Sequence, residues 1–360
     1  MNSLREHFLT LLTNIQPKSD RVSLATDLPS KVRDFLKDSE KIITIEPHTR
    51  LSGSYARDTA IKQIKDVDIL LFVDAKYKDG EDSAKTVINK LVNALGGLPK
   101  FLGDENGQVE LKRQRRSVLV HVTLSGEGFD IDVVPSIYEG DSPTPLDVPD
   151  RDLSEWISSD PLGYKQSLSD INQEQNEKIV PLIKMFKHWR DVKMKYRKPK
   201  SYWLECMVYK HAKANNLKVE DASYGELFHS LLTSVYDDFI DAWEKEDSVP
   251  SIKDPMLSNN VAKSWTRSEF DTFMSRIEES KNWAARALNA EEEEKSIELW
   301  QKVFNDDESE EEFFPKTVDS TMKSILSREA VYVSQTGQIL REKTSLEKVL
   351  EAGKHRYFGA

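Results

Sequence analysis

The chain is short of cysteine. A single cysteine, Cys206, stands among 360 residues, so an internal disulfide and a cysteine-rich zinc site are both excluded. That scarcity suits a reducing cytoplasm, which is the expected location. Long apolar runs are missing too. No segment approaches the roughly 18 residues that a membrane-spanning helix needs. The N-terminal stretch MNSLREHFLTLLTNI has no uncharged apolar core long enough for a signal peptide. Positive charge is in deficit: 51 Lys and Arg face 62 Asp and Glu, a net charge of −11. A protein that grips long nucleic acid usually presents a basic face, so this balance argues against a long polyanionic partner. No internal repeat is found.

What remains is a soluble, globular composition, 31% charged and 38% hydrophobic, long enough for two domains with cores of their own. One stretch organises it: Ser52 to Asp74, SGSYARDTAIKQIKDVDILLFVD. A Gly-Ser pair in a turn leads into a short helical segment and then a strand. Side chains alternate along a strand, so Asp66, Asp68, Leu70 and Phe72 share one face, and Val67, Ile69, Leu71 and Val73 the other. Two carboxylates at the mouth of an apolar strand are costly to bury unless they hold cations. The pattern predicts a divalent-metal site facing a phosphate-binding turn.

The rest of the chain is read in order. Leu4, Phe8, Leu11, Leu12 and Ile15 predict a helix that Pro17 breaks. A second helix is expected over Leu28–Leu36 with Pro29 near its start. The strand KIITIEPHTRLSG enters the central motif. Asp82–Leu95 predicts a helix ended by Gly96-Gly97. A single basic strand is expected over Val109–Thr123, then a hairpin turn at Ser125–Gly128. FDIDVVPSI returns as a strand that places Asp130, Asp132 and Val134 on one face, with Pro135 as its end. Residues 139–163, rich in Asp, Pro and Ser, read as a loop and crossover. Beyond them the pattern is helical. Ile179, Leu182, Ile183 and Phe186 form a stripe, and Tyr202–Asn215, Tyr224–Glu244 and Arg267–Leu288 are expected helices. Glu291–Glu294 and Asp306–Glu312 read as solvated faces or loops. LEAGKHRYFGA reads as an exposed tail.

Nucleotidyl transfer needs a held triphosphate, two bridging metals and a third carboxylate that helps position the metal activating the attacking hydroxyl. Magnesium takes oxygen ligands, with phosphates and waters completing its shell. Asp66, Asp68 and one of Asp130 or Asp132 would supply the carboxylates from neighbouring strands. Backbone N–H groups around Gly53 and Ser54 would receive phosphate oxygens. Gly53 allows close approach and the Ser54 hydroxyl adds a donor.

These motifs, GSYARDTAI-x4-DVD followed by a distant D-V-V-P, resemble the DNA polymerase β-type nucleotidyltransferases. Within that superfamily the span 52–136 is similar to the cGAS/DncV-like and oligoadenylate-synthase-like enzymes. Archaeal CCA-adding enzymes share much of it. IVPLIKMFKHWR and KSYWLE resemble two helices of the family's second half. The resemblance implies an α+β fold: a polymerase β-like nucleotidyltransferase core with a mixed sheet, then a helical domain closing the active-site cleft. The expected domains are N-terminal helices over 1–38 packing on both lobes, a catalytic core over 39–165, a helical domain over 166–330 and a tail over 331–360. It places the metal triad on Asp66, Asp68 and Asp132, with Asp130 a candidate neighbour. Lys187 and Ser201 would hold the β- and γ-phosphates. Two Mg2+ ions, with Mn2+ as a substitute, are the implied cofactors.

The implied activity is synthesis of cyclic or linear oligonucleotide second messengers from ATP, GTP or other NTPs, in bacterial anti-phage signalling beside a nucleotide-activated effector. A regulatory partner that binds or conjugates the C-terminal tail is a further expectation. The alternative is an RNA-directed enzyme of CCA-adding or oligoadenylate type, which would need a basic surface. A degenerate nucleotide-binding scaffold is a third reading, against which the complete carboxylate set stands. The family's zinc-ribbon cysteines are absent, which argues against a DNA sensor. Plainer roles fit other residues. Arg57 would steady the turn or a carboxylate, and Thr59 would be helix structure. Lys112, Arg113, Arg115 and Arg116 would form a charged strand face before they formed a nucleic-acid contact. His121, Cys206 and the tryptophans at 189, 203, 243, 265, 283 and 300 would be packing residues.

Overall fold

A computed structural model describes residues 4–318 apart from 63, 65, 104–107, 125, 139–143, 216, 218–222, 246–247, 307 and 310. Beyond 318 it describes the backbone of 332–333, 339–340 and 350–351. The chain divides into two units. One comprises Pro17–Ser169 with Pro255–Ser258, the other Met1–Gln16, Asp170–Asp254 and Asn259–Ala360. The first 38 residues therefore split: helix α1 (Arg5–Asn14) belongs to the second unit and all of α2 (Ser19–Lys37) to the first.

The first unit is built on a five-stranded mixed sheet. Its elements in chain order are β1 (Thr44–Ser52), α3 (Gly53–Ala56), β2 (Asp66–Val73), α4 (Ser83–Leu95), α5 (Leu98–Leu102), β3 (Gln108–Arg113), β4 (Val118–Leu124) and β5 (Glu127–Ser136). The sheet order is β1-β2-β5-β4-β3, with β2 and β5 parallel and the other pairs antiparallel. Val67, Ile69, Leu71 and Val73 are fully buried with Val118, Val120, Ile131 and Val133. That face meets α2, through Ala25, Leu28, Val32 and Leu36, and α4, through Val87, Ile88 and Leu91. The opposite face of β2 buries Leu70 and Phe72 against Leu146 and Val148. The acidic mouth of that strand, Asp66 and Asp68, lies beyond this cover, exposed and half-buried.

Several expectations are corrected. Helix α2 begins at Ser19 and carries Pro29 in its interior. An internal proline costs about 3 kcal/mol, but each large aliphatic side chain buried recovers roughly 1.5–3 kcal/mol, and the stripe from Ala25 to Leu36 outweighs the break. The basic segment is two strands, β3 and β4, joined by a turn at Gln114–Ser117 where Gln114 N–H donates to Ser117 O at 2.9 Å. Pro135 does not end β5: it stays in register with Leu71, and Ser136 follows in the strand. Residues 139–163 hold a hairpin, β6 (Leu146–Asp150) and β7 (Glu155–Ser159), whose valine, isoleucine and tryptophan positions were masked by surrounding Asp, Pro and Ser.

Helix α6 (Pro161–Glu174) joins the units. The second unit continues with α7 (Ile179–Lys193), α8 (Ser201–Ala214), α9 (Tyr224–Glu244), α10 (Arg267–Leu288) and α11 (Glu293–Phe304). Capping boxes fix two starts, Ser223 with Glu226 for α9 and Thr266 with Glu269 for α10. Helix α11 was hidden because its acidic opening reads as a solvated run. Ile297, Trp300, Val303 and Phe304 nonetheless recur at helical spacing and are buried. Trp189, Trp203, Trp265 and Trp300 are core residues as expected, whereas Trp243 and Trp283 are only half-buried. Phe8 of α1 meets Trp300 edge-to-face with ring centroids 5.0 Å apart, so α1 is part of this core. Three two-residue strands, Tyr332–Val333, Ile339–Leu340 and Leu350–Glu351, pair in the order third-first-second. The tail beyond 351, with Ala360, lies outside the described residues. Among the described residues no helix is long and apolar enough to cross a membrane.

Candidate active site

The parallel pairing of β2 with β5 does what sequence spacing alone cannot. Asp66 is in register with Asp130, and Asp68 with Asp132. Because register partners project to the same face, four carboxylates from two adjacent strands stand side by side. The antiparallel partner of Asp68 on the other side is Ser52, the residue that enters the Gly53-Ser54 turn. Turn and carboxylates are thus neighbours through the ladder of the sheet.

Gly53 has φ +72°, and a Cβ placed on it would lie 2.9 Å from Asp68 Cγ and overlap its carboxylate. The glycine is required twice, for the left-handed backbone and for the absence of a side chain. The Ser54 carbonyl accepts from the Thr59 N–H at 2.9 Å and from the buried Thr59 hydroxyl at 3.5 Å, which closes the turn. Helix α3 has four residues, too few to build a macrodipole. What the turn offers an anion is its N–H groups and the Ser54 hydroxyl.

The electrostatics are those of crowded like charges. The Asp68 carboxyl is pushed up to about 6, first by burial, then by Asp66 and Asp132, with Arg57 pulling the other way. Asp132 is also raised, by burial first and by Asp66 and Asp130, against a hydrogen bond from Ser117 that lowers it. Arg57 therefore steadies a carboxylate, as its sequence position suggested, and its guanidinium lies 5.4 Å from the ring centre of buried Tyr164. The two acids of β5 differ in company. Asp130 Oδ1 lies 2.5 Å from His121 Nδ1, so His121 is an acid's partner as well as a packing residue. Asp132 Oδ1 accepts from Ser117 Oγ at 3.0 Å. Sequence reasoning did not single out Ser117; the signal, a serine in the turn just before the strand that pairs with the third acid, appears only once β4 and β5 are paired.

The donor set fits a divalent cation: hard carboxylate oxygens, partly desolvated and mutually repelling, whose like-charge cost a cation would relieve. Among the described residues no three ligating side chains already converge on one ion-sized point, so cation binding there would draw the carboxylates together.

Two sequence-predicted residues belong to the helical unit. Lys187 of α7 is 2% exposed, with Nζ 2.7 Å from Oε1 of fully buried Glu205 on α8. Ser201 is the first residue of α8, with Lys200 in the N-cap position, and its hydroxyl accepts from Arg190 Nη1 at 3.0 Å. The basic residues of the β3–β4 hairpin are engaged within the fold. Lys112 pairs with Glu110, Arg113 Nε donates to Asn89, and Arg115 and Arg116 both reach Asp150. Cys206 is buried, as expected.

Comparison with known proteins gives this geometry its setting. Residues 1–172 match the family model described as the Second Messenger Oligonucleotide or Dinucleotide Synthetase domain. The chain is 30% identical over 309 residues to the cyclic AMP-AMP-AMP synthase of Acinetobacter sp. (strain ATCC 27244 / 9458), with 83% of each chain covered. It belongs to the CD-NTase family of cGAS/DncV-like nucleotidyltransferases. This CD-NTase is also 27% identical over 358 residues to the cyclic AMP-AMP-GMP synthase of Enterobacter hormaechei subsp. hoffmannii (strain UCI 50), covering 84% of this chain and 91% of that one. In fold it is similar to CdnC of E. coli MS115-1, solved in a complex with HORMA-deltaN, with a TM-score of 0.61 at 18% identity over 83% of this chain and 96% of that one. As a CD-NTase the chain is a nucleotidyltransferase that makes oligonucleotide second messengers from nucleoside triphosphates.

Proposed function

We propose that this CD-NTase joins ATP, alone or with a second NTP, into a cyclic oligonucleotide at Asp66, Asp68 and Asp132, with two Mg2+ ions (or Mn2+) as cofactors. The observation that carries the reading is the register of Asp68 with both Asp132 and Ser52, which sets a third carboxylate on one side of the acid pair and the glycine turn on the other. ATP is favoured because AMP is common to the products named for the two relatives above.

Bound divalent cations would supply the Lewis acidity that steadies a leaving pyrophosphate and acidifies an attacking ribose hydroxyl. The chain supplies position and charge. Asp66 and Asp68 face the triphosphate side, where the Gly53-Ser54 turn lets phosphate oxygens approach backbone N–H groups with no Cβ in the way. Asp132 faces the acceptor hydroxyl. Lys187 and Ser201 would bind the β- and γ-phosphates, and for Lys187 this means exchanging its bond to Glu205 for one to phosphate, both charge-assisted and of similar strength. A regulatory partner and a nucleotide-activated effector would complete an anti-phage circuit. For the partner, support comes from the HORMA complex of the CdnC enzyme.

The test is direct. The pure chain is incubated with Mg2+ or Mn2+ and labelled NTPs, singly and in pairs, with and without RNA. Small phosphatase-resistant products that require ATP and no RNA are expected, and Asp66→Ala with Asp68→Ala should abolish them. Extension of added RNA alone would overturn the reading in favour of a CCA-adding or oligoadenylate type. So would the absence of any product, even with a HORMA-type partner added.

A further inference from the structure

The LKRQRRS segment, whose four basic residues suggest a nucleic-acid contact, has a different use in the fold. Its turn is fastened to one carboxylate. Asp150, the last residue of β6, has a fully buried side chain. Its Oδ1 accepts from Arg115 Nε at 2.7 Å and from the Leu153 N–H at 3.3 Å. Its Oδ2 accepts from Arg116 Nε and Nη2, each at 3.2 Å. The Arg115 carbonyl accepts from the Arg151 N–H at 2.9 Å. A forked, two-sided grip of this kind fixes orientation as well as distance. Although burial raises the Asp150 carboxyl, the two guanidiniums hold it below its usual range.

The residue that follows this staple is Ser117, 5% exposed. Its hydroxyl is 3.0 Å from Asp132 Oδ1 and 3.0 Å from Gln114 Oε1. A hydroxyl has one proton to give. The charged carboxylate is the stronger acceptor, so the proton goes to Asp132. With its amide turned over, Gln114 donates to the Ser117 oxygen in return. Asp132 is thereby held by one oxygen, and Ser117 makes no claim on the other.

We propose that Ser117 is a positioning residue for the third metal-binding carboxylate, presented by a turn that the Asp150–Arg115–Arg116 staple holds in place. This rests on the metal role assigned above to Asp66, Asp68 and Asp132. Ser117 touches neither substrate nor cation; it acts through Asp132. Loss of its hydroxyl lets the carboxylate rotate and leaves it to meet the charge of Asp66 and Asp130 without a donor.

The experiment measures Mn2+ binding to the full chain by loss of the free-ion EPR signal, alongside the rise of melting temperature with Mn2+. Ser117→Ala should weaken Mn2+ binding about 10-fold with the metal-free melting temperature little changed, and raise the metal concentration for half-maximal turnover by a similar factor with KM for ATP unaltered. Ser117→Thr, which keeps the hydroxyl, should stay within about twofold of the unaltered chain. Undiminished Mn2+ affinity in Ser117→Ala overturns the proposal, and so does an equal loss in both variants, which would assign the effect to packing. Asp66→Asn with Asp68→Asn separates the two readings. If that pair leaves Mn2+ binding intact, the metal site itself is misassigned. If it abolishes binding while Ser117→Ala does not, only the role of Ser117 fails.

Discussion

At the scale of single residues, the site is a place where charge is held at a disadvantage. Asp68 keeps its proton in the folded chain up to about pH 6, against 3.8 for the free side chain. The folded state therefore binds more protons than the unfolded state between those values. Stability conferred by the protonated acid is present at low pH and lost as pH rises through about 6. At 1.36 kcal/mol per unit this amounts to at most about 3 kcal/mol. Metal-free Asp68→Asn should therefore melt higher than the unaltered chain at pH 7.5 and show little advantage near pH 4. A calorimetric series in chelator checks this, and equal melting at pH 7.5 would contradict it. Gly53 gives a second test. Gly53→Ala adds a methyl group at φ +72° against the Asp68 carboxylate. We expect a loss of about 1–3 kcal/mol in stability from backbone strain and at least about 100-fold in turnover from displacement of the carboxylate. Turnover within threefold of the unaltered chain would mean that the close approach of turn and strand is not needed for chemistry.

At the scale of elements, pairs of neighbours decide what a residue can do. Helices α7 and α8 enclose Lys187 and Glu205 in a buried ion pair. Removing one partner of such a pair leaves the other charge uncompensated, a loss of about 3–5 kcal/mol. Lys187→Met should thus lower stability by about that amount as well as raise KM for ATP, whereas a lysine used for phosphate alone would change KM and leave the melting temperature in place. Urea unfolding together with steady-state kinetics tells these apart. The same logic explains which elements were legible. Alternation along DVDILLFVD and helical spacing along α4, α7, α9 and α10 are local signals, and they gave those elements. Helix α2 was cut short because an internal proline is a strong local stop, overridden here by the buried side of Leu28, Val32 and Leu36. The β3–β4 turn was missed because its arginines look continuous with a basic strand. Asp150, the reason the chain turns there, is about 35 residues away in sequence.

At the scale of the whole molecule, a net charge of −11 and the internal use of Arg113, Arg115 and Arg116 point to the same kind of acceptor. A hairpin whose arginines already bond Asn89 and Asp150 gains little from releasing counterions from a long polyanion. Added tRNA-like or duplex RNA at about 0.15 M salt should therefore neither be extended nor compete with NTPs; measurable 3′-end extension on a sequencing gel would count against this. The sequence by itself determined the acidic strands, the glycine turn and the family, because each is a short run whose chemistry is written in adjacent residues. Only the tertiary structure decided that Asp68 stands between Ser52 and Asp132, that His121 takes Asp130 while Ser117 takes Asp132, and that Lys187 meets Glu205. Those are choices of register and packing between separate strands and helices, several of them neighbours in the chain. No local pattern records them: a shift of one residue in a strand would turn Asp68, Asp130 and Asp132 to the other face, and the meeting of Lys187 with Glu205 depends on how two helices pack.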